Sequence, residues 1–315
     1  MTSALAVFVG VATEDSIAVV DRYPGADERI VASGMVFGGG GPAATAAVTA
    51  ARLGVPSAAI AAVGEDEAAD RVRERLRSEG VDISGIVTVP GAETSRSIVV
   101  ISGAERSRAI VNRVGPALEV SGDPRALELV AGARWVHVDQ HGWRAVHNAR
   151  ERVGSGIRLS IDAGNHIPGL NLHDTALYAP TREALERRYG AVGIADGMRR
   201  ALAEGAGAVV VTDGGRGSHG LRADGTAVFA APPAVQLVST LGAGDVFHGA
   251  LIAALIRNED GTLEGGFERA VAYATVVATL SCRGIDGRSS IPDHDETMRV
   301  LTAAEADART VREAV

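Results

Sequence analysis

Lysine is absent from this chain of 315 residues: all 31 basic side chains are arginine. That removes every mechanism built on a lysine, including Schiff-base chemistry, a Walker-type phosphate loop and the strand lysine of protein kinases. Cysteine is nearly absent. The single Cys282 cannot form an intramolecular disulfide, so nothing argues for an oxidising compartment, and its apolar helical context marks it as core packing. No run of about 18 apolar residues could span a bilayer, and the N-terminal MTSALAVFVGVATEDS lacks the basic start of a signal peptide, so a cytoplasmic protein is expected. Positive charge is in deficit, with a net charge of −8 and scattered arginines, which disfavours nucleic acid or an anionic membrane as partner. Aromatics make up only 3 % of residues, a mild argument against an acceptor pocket that stacks a nucleobase. What is plentiful is apolar content, 46 %, enough for a large core.

Short β-rich runs alternate with helical ones, the pattern of an α/β protein with a mostly parallel sheet. Strands are expected at Ala4–Val9, Ser57–Val63, Trp135–Val138, Arg158–Asp162, Leu177–Ala179 and Ala208–Thr212. The clearest helices are Pro42–Leu53, with proline at its start and Gly54 at its stop, and Glu67–Glu79. Two segments, 16–37 and 95–113, break the rhythm with period-2 runs such as SIVVIS and SRAIVN, the latter pair joined by the turn Gly103-Ala104-Glu105-Arg106. They read as antiparallel strands inserted into a single domain spanning 1–315. A small sheet of this kind suits a lid that excludes water, and equally a dimerisation flap or an edge extension.

The stretch VSTLGAGDVFHGAL (238–251) carries the chemistry. A glycine-rich turn feeding a helix leaves backbone N–H groups free for an anion, which assigns Gly242, Ala243 and Gly244 to an anion hole. Asp245 follows in the first helical turn. There it serves either as a cap alone or as a general base that takes a proton from a hydroxyl attacking phosphorus. A dinucleotide-dependent oxidoreductase would need G-x-G-x-x-G after the first strand, whereas Gly10 is followed by VATEDS.

The stretch resembles the C-terminal signature of the PfkB, or ribokinase-like, carbohydrate kinases. GGGG (38–41) with PAATAAVTAARLG, VGEDEAAD from Val63, VTDGGRGSHG (211–220) and GIDGRSSIPD (284–293) resemble further family segments, so the likeness covers essentially the whole chain. It implies a ribokinase-like αβα sandwich with a small β-sheet lid, ATP as phosphoryl donor, Mg2+, and often a monovalent cation such as K+. It also implies Asp245 as catalytic base. Asp15 and Gly39, Gly40 and Gly41 would contact the sugar, with Thr212, Gly214, Gly215 and Gly217 along the nucleotide. A homodimer formed through the lid is expected on the same ground.

Two departures stand out. Ser239 replaces an aspartate that in relatives contributes to the monovalent-cation site, which weakens the case for potassium. The family's Asn-x-x-Glu is replaced by Ala-Pro-Thr-Arg-Glu (179–183), leaving Glu183 as the candidate metal ligand, or Mg2+ held through water and phosphate. Within the family the motifs look most like those of sulfofructose kinases, which phosphorylate the C1 hydroxyl of 6-deoxy-6-sulfofructose. That resemblance implies Arg29 and Asn112 around a C6 anion; His141 stands where the subgroup has an arginine, with Arg144 three residues further on to reach the same pocket, or His141 binds a hydroxyl of a neutral sugar. A neutral pentose or hexose and a nucleoside are the alternative acceptors, and a sugar-binding regulator without catalysis is the alternative of another class. Asp245 and its glycines speak for catalysis.

Overall fold

The computed structural model describes residues 6–105, 107–154 and 156–313. Residues 4 and 5 of the first expected strand, and Arg106 of the expected turn, lie outside the described residues. Strand β1 (Ala6–Val9) is followed by β2 (Thr13–Val20) and β3 (Gly34–Gly40) with no helix between them. Next come α1 (Pro42–Arg52), β4 (Ser57–Val63), α2 (Glu67–Ser78), β5 (Asp82–Thr88), β6 (Arg96–Ser102), β7 (Ser107–Arg113) and α3 (Pro124–Gly132). The middle of the chain gives β8 (Trp135–Val138), α4 (Gly142–Val153), β9 (Leu159–Asp162), β10 (Thr175–Ala179), α5 (Arg182–Tyr189) and α6 (Ile194–Ala203). It ends with β11 (Ala208–Thr212), β12 (Ser218–Arg222), β13 (Ala227–Ala230), α7 (Ala243–Glu259), α8 (Gly266–Ser281) and α9 (His294–Glu313).

Nine strands form one sheet in the order β13-β12-β11-β10-β9-β8-β1-β4-β5, parallel except for β12 and β13 at one edge. β1 and β8 are wholly buried four-residue runs because helices cover both faces, which is why they read as continuous apolar segments. One face packs on α1, α2, α7 and α8 around Phe8, Val210, Leu251 and Tyr273. The other packs on α3 to α6 around Ile60, Ile161, Leu185 and Met198. Strand order runs outward from β1 through β4 to β5 and then resumes on the other side at β8. The switch point therefore lies between β1 and β8, where open α/β sheets bind ligands beyond the strand C-termini.

Helices α1 and α7 touch backbone to backbone. A Cβ on Gly249 would collide with the carbonyl oxygen of Ala46, and Ala43, Ala44, Ala46, Ala47 and Ala50 keep the α1 surface low. This close approach holds the N-termini of both helices at the switch point.

The remaining strands form a second sheet in the order β3-β2-β6-β7. Its outer pairings are antiparallel, as expected, but β2 and β6 pair in parallel because the whole β3-to-β5 excursion separates them. Alternation gives the sheet two distinct faces. Asp15, Ser97 and Asn112 form one inner row, with Ile17, Val99 and Ile110 in the next. The outer face carries Phe37, Ser16, Ile98 and Val111 in one row and Met35, Ala18 and Val100 in another.

Candidate active site

A cavity of about 560 Å3 lies between the inner face of the small sheet and the C-terminal ends of the parallel strands. Behind the lining residues Val11 and His141, the buried Asp139, just past β8, accepts N–H bonds from Val11 (2.7 Å), His141 (2.8 Å) and Gly142 (2.9 Å). These tie the end of β1 to the start of α4 across the switch point. No side chain fits at Gly10, where a Cβ would overlap the Asp139 carboxylate.

Asp15 reaches the cavity from β2 and accepts a bond from Thr13 Oγ1 at 2.6 Å. Burial raises its pKa, against the hydroxyl bonds from Thr13 and Ser97 and the charge of Arg288. The glycines opposite make room for this arrangement. A Cβ on Gly40 would overlap the Asp15 carboxylate, and one on Gly39 would meet the guanidinium of Arg288, which is itself buried and donates to Gly40 O (2.9 Å) and Thr45 Oγ1 (3.2 Å). Gly41 adopts φ 89° as it leads into α1, the left-handed region that favours glycine.

At the opposite wall the turn before α7 uses Gly242 at φ 71°. The Ala243 N–H closes that turn on Thr240 O at 3.3 Å, and the N–H groups of Gly244 and Asp245 have no partner among the described residues. Asp245 sits beside them. Burial, then the nearby Asp162 and Asp139 carboxylates, push its pKa up to about 7, while His248 and Arg288 pull the other way. His248 lies one turn further along α7, its Nε2 3.3 Å from Asp162 Oδ1 and its Nδ1 buried with no partner among the described residues. Burial works against charging this ion pair but is outweighed: Asp162 is held down to about 2 and His248 is raised above its ordinary value. His137, its ring tilted behind that of His248 at a separation of 5.1 Å, is pushed down to about 3 by burial and stays neutral. A carboxyl poised near neutrality beside free amides can accept a hydroxyl proton while the amides hold an oxyanion.

The pfkB family carbohydrate kinase profile matches residues 3–294. The chain belongs to this kinase family. It is 28 % identical to an ATP-dependent ribose-1-phosphate kinase from Halopiger xanaduensis, over 90 % of this chain and 93 % of that one. It is 26 % identical to a nucleoside kinase from Methanothermobacter thermautotrophicus over 94 % of each. The Arabidopsis thaliana ribokinase complexed with ribose and ATP shares the fold, with a TM-score of 0.81 at 24 % identity over 96 % of this chain and 99 % of that one.

Of the residues expected at this kinase's site, Asp245, Gly242, Gly244, Asp15, Gly39, Gly40, Gly41, Asn112, His141 and Thr212 line the cavity. Ala243 does not, since its amide belongs to the turn. Gly214 and Gly215 stand outside the cavity wall with open space where a Cβ would be, and Gly217 is required by φ 102° and the Ala230 carbonyl. Three expected residues lie away from the cavity wall. Arg29 is exposed on the loop between β2 and β3 and Arg144 is exposed on α4, neither lining the cavity. Glu183 is exposed on the first turn of α5, because the helix cap there is Thr181 and the next residues turn outward. The structure adds Asp162, His248 and Arg108 to the wall. Arg108 was legible from SRAIVN, being two alternations from Asn112 on the same face, and Asp162 from its place at the end of a parallel strand.

Proposed function

We propose that this kinase transfers the γ-phosphoryl group of ATP to a primary hydroxyl of a neutral pentose or hexose. The observation that carries it is Asp245, a carboxyl with a pKa near 7 beside the unpartnered amides of Gly244 and Asp245. The acceptor would lie between Asp15, Ser97 and Asn112, which offer hydroxyl partners and no cation. The nucleotide would extend past Gly164, Asn165, Thr181 and Thr212. Asp245 takes the hydroxyl proton, and the amides hold the charge that develops on the group in transfer.

Sulfofructose as acceptor keeps only Asn112 in support, since His141 stands where an arginine is expected and Arg29 and Arg144 lie away from the cavity wall. A nucleoside finds no phenylalanine, tyrosine or tryptophan to stack on among the described residues of the wall. Mg2+ fits as an ion carried by nucleotide phosphates and water, because the described residues hold no cluster of three acidic, histidine or cysteine groups to cage it. Asp162, whose Oδ2 has no partner among the described residues, is the carboxylate that would hold it, and the ion would neutralise phosphate charge. The small sheet would serve as the lid of one kinase domain. Its exposed outer residues Met35, Phe37, Ile98 and Val111 would pack against a second copy of the chain.

The test is a phosphorylation screen with ATP over ribose, fructose, ribose 1-phosphate, fructose 6-phosphate, 6-deoxy-6-sulfofructose and adenosine. A neutral sugar is expected to give the highest kcat/KM. Preference for an anionic sugar or for adenosine would overturn the acceptor assignment.

A further inference from the structure

Arg288 lies on the loop between α8 and α9, buried with 8 % of its surface exposed. Both side-chain hydrogen bonds it makes among the described residues go to neutral oxygens, from Nε to Thr45 Oγ1 at 3.2 Å and from Nη2 to Gly40 O at 2.9 Å. A buried cation bonded only to neutral groups is costly to desolvate. Burial lowers its pKa to about 10, against the charges of Asp15, Glu79, Asp245 and Asp286 around it, so it stays charged at neutral pH. The loop that carries it abuts the anion-hole turn: Gly287 lines the cavity, and a Cβ on Gly242 would stand 2.8 Å from the Gly287 Cα. Asp286 Oδ1 holds the Arg288 N–H there at 2.9 Å. From that point the side chain crosses to the acceptor end, where Gly40 and Thr45 also line the cavity and a Cβ on Gly39 would stand 2.4 Å from Arg288 Nη1. A guanidinium is a rigid, planar set of donors. One group therefore holds a β3 carbonyl and an α1 hydroxyl at a set separation and ties both to the loop packed on the anion-hole turn.

We propose that Arg288 is a positioning residue, a strut that sets the glycine strand of the acceptor site at the distance from the anion-hole turn that phosphoryl transfer requires. This rests on the phosphoryl-transfer reading given above. Transfer needs the acceptor oxygen close to the γ-phosphorus and in line with the bond that breaks, and a misplacement of about 1 Å costs on the order of 100-fold in rate. Binding of either substrate alone makes no such demand. Loss of the strut therefore separates binding from transfer: sugar and nucleotide still bind, transfer slows, and water reaches the phosphoryl group in place of the acceptor. When water attacks, its oxygen bonds to the γ-phosphorus, the bond to the β,γ-bridging oxygen breaks and the electron pair leaves on ADP. Water's proton passes to Asp245, and inorganic phosphate appears instead of sugar phosphate.

The test uses the full chain as wild type, Arg288→Met, Arg288→Lys and Gly39→Ala, the last of which displaces the guanidinium without altering Arg288. Three quantities are measured with the preferred acceptor of the screen: kcat for sugar phosphate, acceptor Kd by calorimetry without ATP, and the ratio of ADP to sugar phosphate formed. Arg288→Met should lower kcat on the order of 100-fold, change acceptor Kd far less, and raise the ratio above that of wild type. Gly39→Ala should move all three the same way to a smaller degree. Arg288→Lys keeps the charge and loses the planar fork, so it should fall between wild type and Arg288→Met. Thermal melting checks the fold of each; should Arg288→Met fail to fold, Arg288→Lys and Gly39→Ala carry the same comparison. Folded variants with wild-type kcat and wild-type ratio overturn the proposal. A loss that appears equally in acceptor Kd, with the ratio unchanged, overturns it in favour of a binding role alone, and Arg288→Lys equal to wild type overturns it in favour of charge alone. In each of these cases an active wild type leaves phosphoryl transfer standing, whereas a wild type that phosphorylates nothing overturns both readings.

Discussion

At Asp245, burial and two neighbouring carboxylates act in the same direction, and the result is a carboxyl that titrates near neutrality. The sign of the consequence follows directly. Below pH 7 the group is protonated and cannot accept the acceptor's proton; above it the base is available. The pH profile of kcat/KM, which reports the free enzyme, should therefore rise through an apparent pKa near 7 and level off. A rising limb in the ordinary carboxylate range would contradict the environment described for Asp245. Legibility at this scale depended on what a residue's position encodes. Asp245 and its glycines could be read because a turn into a helix has a fixed consequence for backbone amides. Asn112 came from the family resemblance, and strand alternation puts it in the inner row beside Ser97. Arg29 and Arg144 stand away from the cavity wall, and neither a loop's path nor a helix's rotation against the sheet is written locally. Asp139 looks like an ordinary turn residue until the parallel sheet brings the ends of β1 and β8 together.

Among the elements, the core strands and α1 were legible to within a residue or two. Buried parallel strands are continuous apolar runs, and α1 has both of its stop signals. The antiparallel edge, β12 and β13, was not, because SHGLR and AVFA are short and mix exposed with buried positions. The small sheet shows most plainly how an element acquires two roles. Its inner rows line the cavity, while its outer rows expose Phe37 and Met35 at 64 %, Ile98 at 58 % and Val111 at 70 %. Four large apolar side chains on one lid face are costly to leave in water, at roughly 25 cal/mol per Å2. Replacing Phe37 and Val111 together by Asp should convert a dimer to a monomer in sedimentation while leaving the fold intact. A wild type that sediments as a monomer would contradict that surface assignment.

For the whole molecule, the order of the strands explains why residues so distant in sequence share one cavity. Reversal of the strand order between the parallel β1 and β8 leaves a crevice, the close contact of α1 and α7 aims two helix N-termini into it, and the small sheet covers it. The α/β class and the inserted strands were evident from period and spacing, but the parallel β2–β6 pairing was not, since it depends on where the chain returns after a long excursion. The central claim, that this architecture exists to let Asp245 accept a proton during phosphoryl transfer, is tested most directly by one comparison. ATP-dependent phosphorylation of the preferred acceptor is measured for wild type and Asp245→Asn, with acceptor binding followed in parallel. The account predicts that kcat falls by about 100- to 10,000-fold with binding nearly unchanged, and an Asp245→Asn enzyme that turns over at the wild-type rate would contradict it.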